Sequence, residues 1–143
     1  MSFDLLGQLN WLAVIVGAVI YFALGALWYS NVLFAKPWQK SIGWDPTQQP
    51  EPQQNPLTYV VPGLAYLVMA VATGMIAKAT GSGTLGDGIV LGLILGVGYG
   101  LATSLVNAFF TPNSPQPMVT FAITGTYNLI GFVIMAVIVS VWV

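Results

Sequence analysis

The amino-acid sequence predicts an all-α integral membrane protein, a four-helix bundle in a single transmembrane domain spanning residues 1–143, and three observations predict it. Of the 143 residues, 57% are hydrophobic and only 5% are charged. A soluble domain carries about 25% charged residues, so this composition cannot build a water-exposed surface. Apolar stretches recur along the chain, each long enough to cross about 30 Å of hydrocarbon as a helix of roughly 20 residues. None of them alternates apolar and polar residues as barrel strands do; Val133-Ile134-Met135-Ala136-Val137-Ile138-Val139 is apolar throughout.

The first span covers residues 10–34 and holds no charged residue between Asp4 and Lys36. A cleavable signal begins with a cationic stretch and has a shorter apolar core. Here Asp4 precedes the core and no lysine does, so the segment is expected to stay as a membrane anchor. The connection 35–56 is the long one, with five prolines and five glutamines. Its first part, Lys36-Pro37-Trp38-Gln39-Lys40-Ser41-Ile42-Gly43-Trp44, mixes tryptophan with lysine as headgroup-level segments do, and is read as a short interfacial helix or turn. Trp28 and Tyr29 are assigned to the same interfacial belt. The Pro/Gln run that follows is expected to be extended or irregular, because proline removes helix hydrogen bonds. The second span covers 57–79 and ends beside Lys78. Thr80-Gly81-Ser82-Gly83-Thr84 makes a tight turn, and Thr84 or Asp87 caps the third span, 87–110. Thr111 to Pro117 stops that helix, and the fourth span covers 118–142.

An even number of spans puts both termini on one side. Lys36 and Lys40 lie in the first connection and Lys78 on the opposite side, which favours a cytoplasmic first connection and outside termini.

Composition also narrows function. With no cysteine and no histidine, thiolate chemistry, imidazole bases, disulfides and haem ligation by histidine are excluded together. Lysine and arginine total 3 against 4 acidic residues, too few to neutralise nucleic-acid phosphates. No ionisable carboxylate or amine falls deep in a span, which argues against a proton-coupled pump. No nucleophile–base pair or metal-ligand cluster is apparent, so neither catalysis, a metal nor a cofactor is expected.

The most specific local pattern is a glycine stripe. Gly88, Gly92, Gly96 and Gly100 recur every fourth residue on the third span, and Ser104 and Ala108 continue the series. Residues four apart share a helix face, so the span carries a groove nearly free of side chains. In lipid such faces let helix backbones approach closely. Gly17 and Gly25 make a shorter counterpart on the first span. The stripe fits packing inside the monomer, packing across an oligomer, or a groove for a lipid tail.

Neutral polar residues at depth form a second pattern. Asn31, Asn107, Tyr127 and Asn128 are candidates for a small polar pocket toward the first-connection side, or for hydrogen bonds that fix helix register. The chain also suggests a parallel two-helix repeat. Gly25, Phe34 and Pro37 match Gly100, Phe109 and Pro112 in spacing, and Pro56 and Tyr66 match Pro117 and Tyr127.

Asn10-Trp11-Leu12-Ala13-Val14, Leu24-Gly25-Ala26-Leu27-Trp28-Tyr29-Ser30 and Leu33-Phe34-Ala35-Lys36-Pro37-Trp38 carry a recognisable signature. Asn107-Ala108-Phe109-Phe110 and Tyr127-Asn128-Leu129-Ile130-Gly131 extend it to the rest of the chain. Together they resemble the DUF1761 family of small bacterial four-helix membrane proteins of unassigned function. The resemblance implies that topology and a bacterial inner-membrane location. It also implies a Tyr-His pair in many relatives where this chain has Tyr127-Asn128, and charged residues where it has Thr111-Pro112-Asn113.

Two functional expectations follow. The first is a structural or accessory subunit, surrounded by membrane lipids and packing as a homo-oligomer or within a larger membrane complex. The second is a small transporter, channel or module for a lipid or other apolar ligand, using the neutral pocket.

Overall fold

The computed structural model describes residues 2–45, 47–48 and 55–142. Four helices in it are long and apolar enough to cross a membrane. A 3₁₀ turn, Phe3–Gln8, leads into α1, Trp11–Trp28. The short α2, Ala35–Ser41, precedes α3, Leu57–Thr80. The remaining spans are α4, Leu85–Phe110, and α5, Pro117–Val141. Much of the Pro/Gln run expected to be irregular (residues 46 and 49–54) lies outside the described residues.

Local chemistry sets the ends. Asn10 Oδ1 accepts hydrogen bonds from the Leu12 and Ala13 amides at 3.1 and 3.2 Å, satisfying donors that the first turn of α1 leaves unpaired. Thr84 and Asp87 both cap α4. Thr84 Oγ1 accepts from the Asp87 amide, and the Asp87 carboxylate accepts from the Thr84 amide, each at 3.1 Å. Gly81, at φ 68°, ends α3, and the next amide, Ser82, returns to Ala77 O at 2.9 Å.

The first span was expected to run to residue 34, but the helix stops at Trp28. Ser30 Oγ competes for the carbonyl of Leu27 at 2.6 Å, and the Phe34 amide donates to Trp28 O at 3.0 Å. The chain therefore turns over the end of α1, and the Phe34 ring lies 4.7 Å from that of Trp28. This turn sets α2 against the start of α5. The α2 segment is thus a helix docked on the bundle end, with Lys36 and Lys40 exposed.

The spans run up and down, and α5 occupies the centre, packing on α1, α3 and α4. The glycine stripe faces it. A Cβ added at Gly88 would lie 2.7 Å from the Cα of Val137, and one at Gly92 only 2.4 Å from the Cα of Val133. Backbone meets backbone there, the close approach that small residues permit in lipid. Gly17 lies against Met135, and Gly25 against the Tyr127 hydroxyl. The stripe is therefore covered from within the molecule.

The stripe is not one regular helix face, because α4 widens into a π-helical turn over Gly96–Leu101. Three glycines in Gly-Val-Gly-Tyr-Gly-Leu remove the side chains that would crowd a wider turn. The Ser104 hydroxyl returns to Gly100 O at 2.7 Å and supports the altered ladder. The stripe still faces inward through the turn, for Gly96, Gly100, Ser104 and Ala108 are all buried.

The two halves are only partly alike. Tyr66 and Tyr127, equivalent in the suggested repeat, meet at 2.8 Å between α3 and α5. However, α1 packs firmly on α5, whereas the equivalent pair, α4 and α3, has no comparable contact.

Candidate binding site

Polar side chains gather on the inner half of α5 that follows α2 in space. Tyr21, 1% exposed, is the deepest large side chain among them. It fits because Gly131 has no side chain; a Cβ there would lie 2.0 Å from the tyrosine ring. The Tyr21 hydroxyl donates to Asn128 Oδ1 at 2.9 Å, and Asn128 Nδ2 donates to Ser104 Oγ at 2.8 Å. Three helices are thus joined by one line of neutral hydrogen bonds. Beside it, Tyr127 donates to the Tyr66 hydroxyl at 2.8 Å, and the Tyr21 and Tyr66 rings stack at 4.6 Å.

Of the two readings open for Tyr127 and Asn128, pocket lining or hydrogen bonds that fix helix register, their geometry fits the second. Tyr127 is 3% exposed, and the Asn128 amide is spanned between Tyr21 and Ser104. Burial without such partners would cost an amide or phenol several kcal/mol, about 2–7 by transfer scales. Asn31 is elsewhere: once α1 stops at Trp28, it falls in the exposed turn before α2. Asn107, by contrast, borders an open space within the bundle end.

That space is a cleft of about 420 Å³ between α2, α4 and α5. Asn107, Ser104 and Thr111 line it from α4 and the turn after it, and Thr120 and Thr124 from α5. Trp38, Trp44 and Gly43 form the opposing wall. Gly43 is held at φ 75°, where a Cβ would also crowd the Pro115 ring at 3.2 Å. Among the described residues, every hydrogen-bonding group in this lining is uncharged. The cleft can therefore accept and donate hydrogen bonds to a neutral group and stack apolar faces on indole, but offers no counter-charge.

The interfacial aromatics divide by role. Trp38 and Trp44 wall the cleft. Trp28 and Tyr29 turn inward instead: Trp28 Nε1 donates to Ile123 O at 3.0 Å, and the Tyr29 hydroxyl to Thr124 Oγ1 at 3.3 Å. Their polar tips find protein carbonyl and hydroxyl partners, so they need not reach headgroups.

Two residues went unnoticed in the sequence. Ser41, fully buried, accepts from Thr120 Oγ1 at 2.8 Å through its hydroxyl. Its carbonyl accepts from Ser114 Oγ at 2.8 Å and from the Gln116 amide at 3.2 Å. These contacts moor α2 to the start of α5 and hold the cleft wall in place. No local signal marks them, since a lone serine beside a lysine reads as solvated.

On the described residues this is a multi-pass α-helical membrane protein whose polar groups within the bundle are neutral. The family model for DUF1761, "Protein of unknown function (DUF1761)", matches residues 12–140, and the chain belongs to that family. No curated protein and no solved structure matches it.

Proposed function

We propose that this is a non-catalytic membrane protein that binds a small, uncharged, hydroxyl-bearing group in the cleft beside α2. The observation that carries the reading is the lining itself: Ser104, Asn107, Thr120 and Thr124 facing Trp38 and Trp44 around about 420 Å³. Aromatic walls with a few placed polar groups suit a neutral ligand. A buried anion or ammonium would lack a partner. The hydrogen-bonded line from Ser104 through Asn128 to Tyr21 closes the floor, which favours binding over passage through the bundle. The setting that goes with this reading is a bacterial inner membrane, with the first connection and the cleft on the cytoplasmic side.

The test is a titration of tryptophan emission with octyl glucoside and with free glucose, in a polyoxyethylene detergent. A saturable change in the native chain, lost in Asn107→Leu, is expected for at least one probe. No saturable change with either would end the proposal.

Assembly into a homo-oligomer or a larger membrane complex is the second reading. With the glycine stripe covered, it rests on Gly98 and Ala102, small exposed residues four apart on the outward face of α4. A clean monomer with no co-purifying protein in mild detergent would count against it.

A further inference from the structure

On the other side of Trp38 from the cleft lies a second space, between α1, α2 and α3. It measures about 650 Å³ and is walled by Phe22, Tyr29, Trp38, Tyr59 and Tyr66, with Thr58 at its edge. An apolar groove of about 320 Å³ runs from it toward mid-membrane, past Ile15, Val19, Gly63 and Leu67. Phe22 and Tyr59 border both, so the two lie end to end along α1 and α3. Along α1 the groove from Ile15 to Phe22 covers about 10 Å of helix rise. The shape is that of an amphiphile, with the chain end deep and the head end beside α2.

The chemistry of the head end selects further. Among the described residues, no charged side chain lines either space. An anionic headgroup would be desolvated there without a counter-ion. A cation could use open aromatic faces, but one face of Tyr66 is covered by Tyr21 at 4.6 Å, and Tyr29 packs against Trp38 at 5.3 Å. What the cavity offers is neutral hydroxyl groups. The Tyr127 proton is shared between the Tyr66 oxygen at 2.8 Å and the Tyr21 carbonyl at 3.2 Å, so the Tyr66 hydroxyl is paired with Tyr127 and turns its remaining hydrogen-bonding capacity to the cavity. Thr58 adds a second hydroxyl at the rim.

We propose that the groove and cavity between α1 and α3 form one site for a neutral glycerolipid, its ester and hydroxyl oxygens at Tyr66 and Thr58 and one acyl chain along Gly63. This site is separate from the cleft and does not depend on it. Gly63 is the sharpest handle, because a Cβ added there meets nothing within 4 Å. Gly63→Leu therefore fills the groove without disturbing the bundle.

The experiment measures thermal unfolding of the full chain in detergent against three probes with the same chain: monooleoylglycerol, oleoyl lysophosphatidic acid and oleoylcholine. Monooleoylglycerol is expected to raise the midpoint saturably, as a ligand of the folded state does. At least tenfold more should be needed in Gly63→Leu, and several-fold more in Tyr66→Phe. The charged probes should act only at concentrations at least tenfold higher. The proposal is overturned by no saturable shift, by equal response in a folded Gly63→Leu, or by tighter action of either charged probe. Asn107→Leu should leave the monooleoylglycerol response unchanged, which separates this site from the cleft.

Discussion

Replacing Gly92 by alanine adds a single methyl group at the tightest point between α4 and α5. That carbon would sit 2.4 Å from the Cα of Val133, 3.1 Å from the Phe132 carbonyl oxygen and 3.1 Å from the Val133 amide nitrogen. All three are backbone atoms, so no rotamer change can relieve the contact. Ordinary van der Waals contact would require the helices to part by about 1 Å. A gap of 0.5–1 Å already forfeits a quarter to a half of each contact's attraction, roughly 0.1–0.2 kcal/mol per atom pair at full strength. Summed over the pairs around Gly88, Gly92 and Gly96, the loss is about 2–3 kcal/mol, within the range for overpacked cores. The control is Gly63→Ala, in the regular helix α3, where an added Cβ meets nothing within 4 Å. It should be neutral or stabilise by up to about 1 kcal/mol through helix propensity. Unfolding of both variants by dodecyl sulfate in mixed micelles, followed by circular dichroism, gives the comparison. If Gly92→Ala were as stable as the native chain, close α4–α5 packing would not be what holds this bundle.

Two further substitutions test the remaining supports. Tyr21→Phe removes the donor to Asn128 Oδ1 while keeping the ring stacked on Tyr66; a loss of about 1 kcal/mol is expected in the same assay, near the range for hydrogen bonds between membrane helices. Thr84→Ala breaks the capping box of α4, and should cost about 1 kcal/mol with faster amide exchange confined to the first turn of that helix.

The spans were legible because their apolar runs are set by the bilayer, and the glycines because their period is local to one helix. Partner identity was not local. Whether the stripe met α5 or another molecule depended on the complementary sequence around Val133 and Val137, which looks like any apolar helix. The π-helical turn was hidden for a different reason: glycines at every fourth position fit a regular helix equally well. The polar pocket was half legible. Asn107 borders the cleft, but Asn31 was misplaced by extending α1 through Ser30, whose hydroxyl takes the Leu27 carbonyl and helps end the helix. Ser41 and Thr120, 79 residues apart, could be joined only in three dimensions.

The position of the open spaces follows from where the close packing stops. At Gly88 and Gly92 the nearest atoms of α5 are backbone, at 2.7 and 2.4 Å. At Gly96 the nearest is a leucine side chain at 2.7 Å, with backbone at 3.3 Å. At Gly100 only the side chains of Phe132 and Asn128 come close, at 3.1 Å or more. The helices therefore diverge toward the α2 end, just where the π-helical turn interrupts the regular helix and the glycines give way to Ser104. The widening gap cannot be filled by two backbones, so it is filled first by side chains that hydrogen-bond across it, Asn128 to Ser104. Beyond them it opens as the cleft. Tight packing at one end and a neutral recess at the other are thus two consequences of a single gradient along α4, from side-chain-free to hydroxyl-bearing residues.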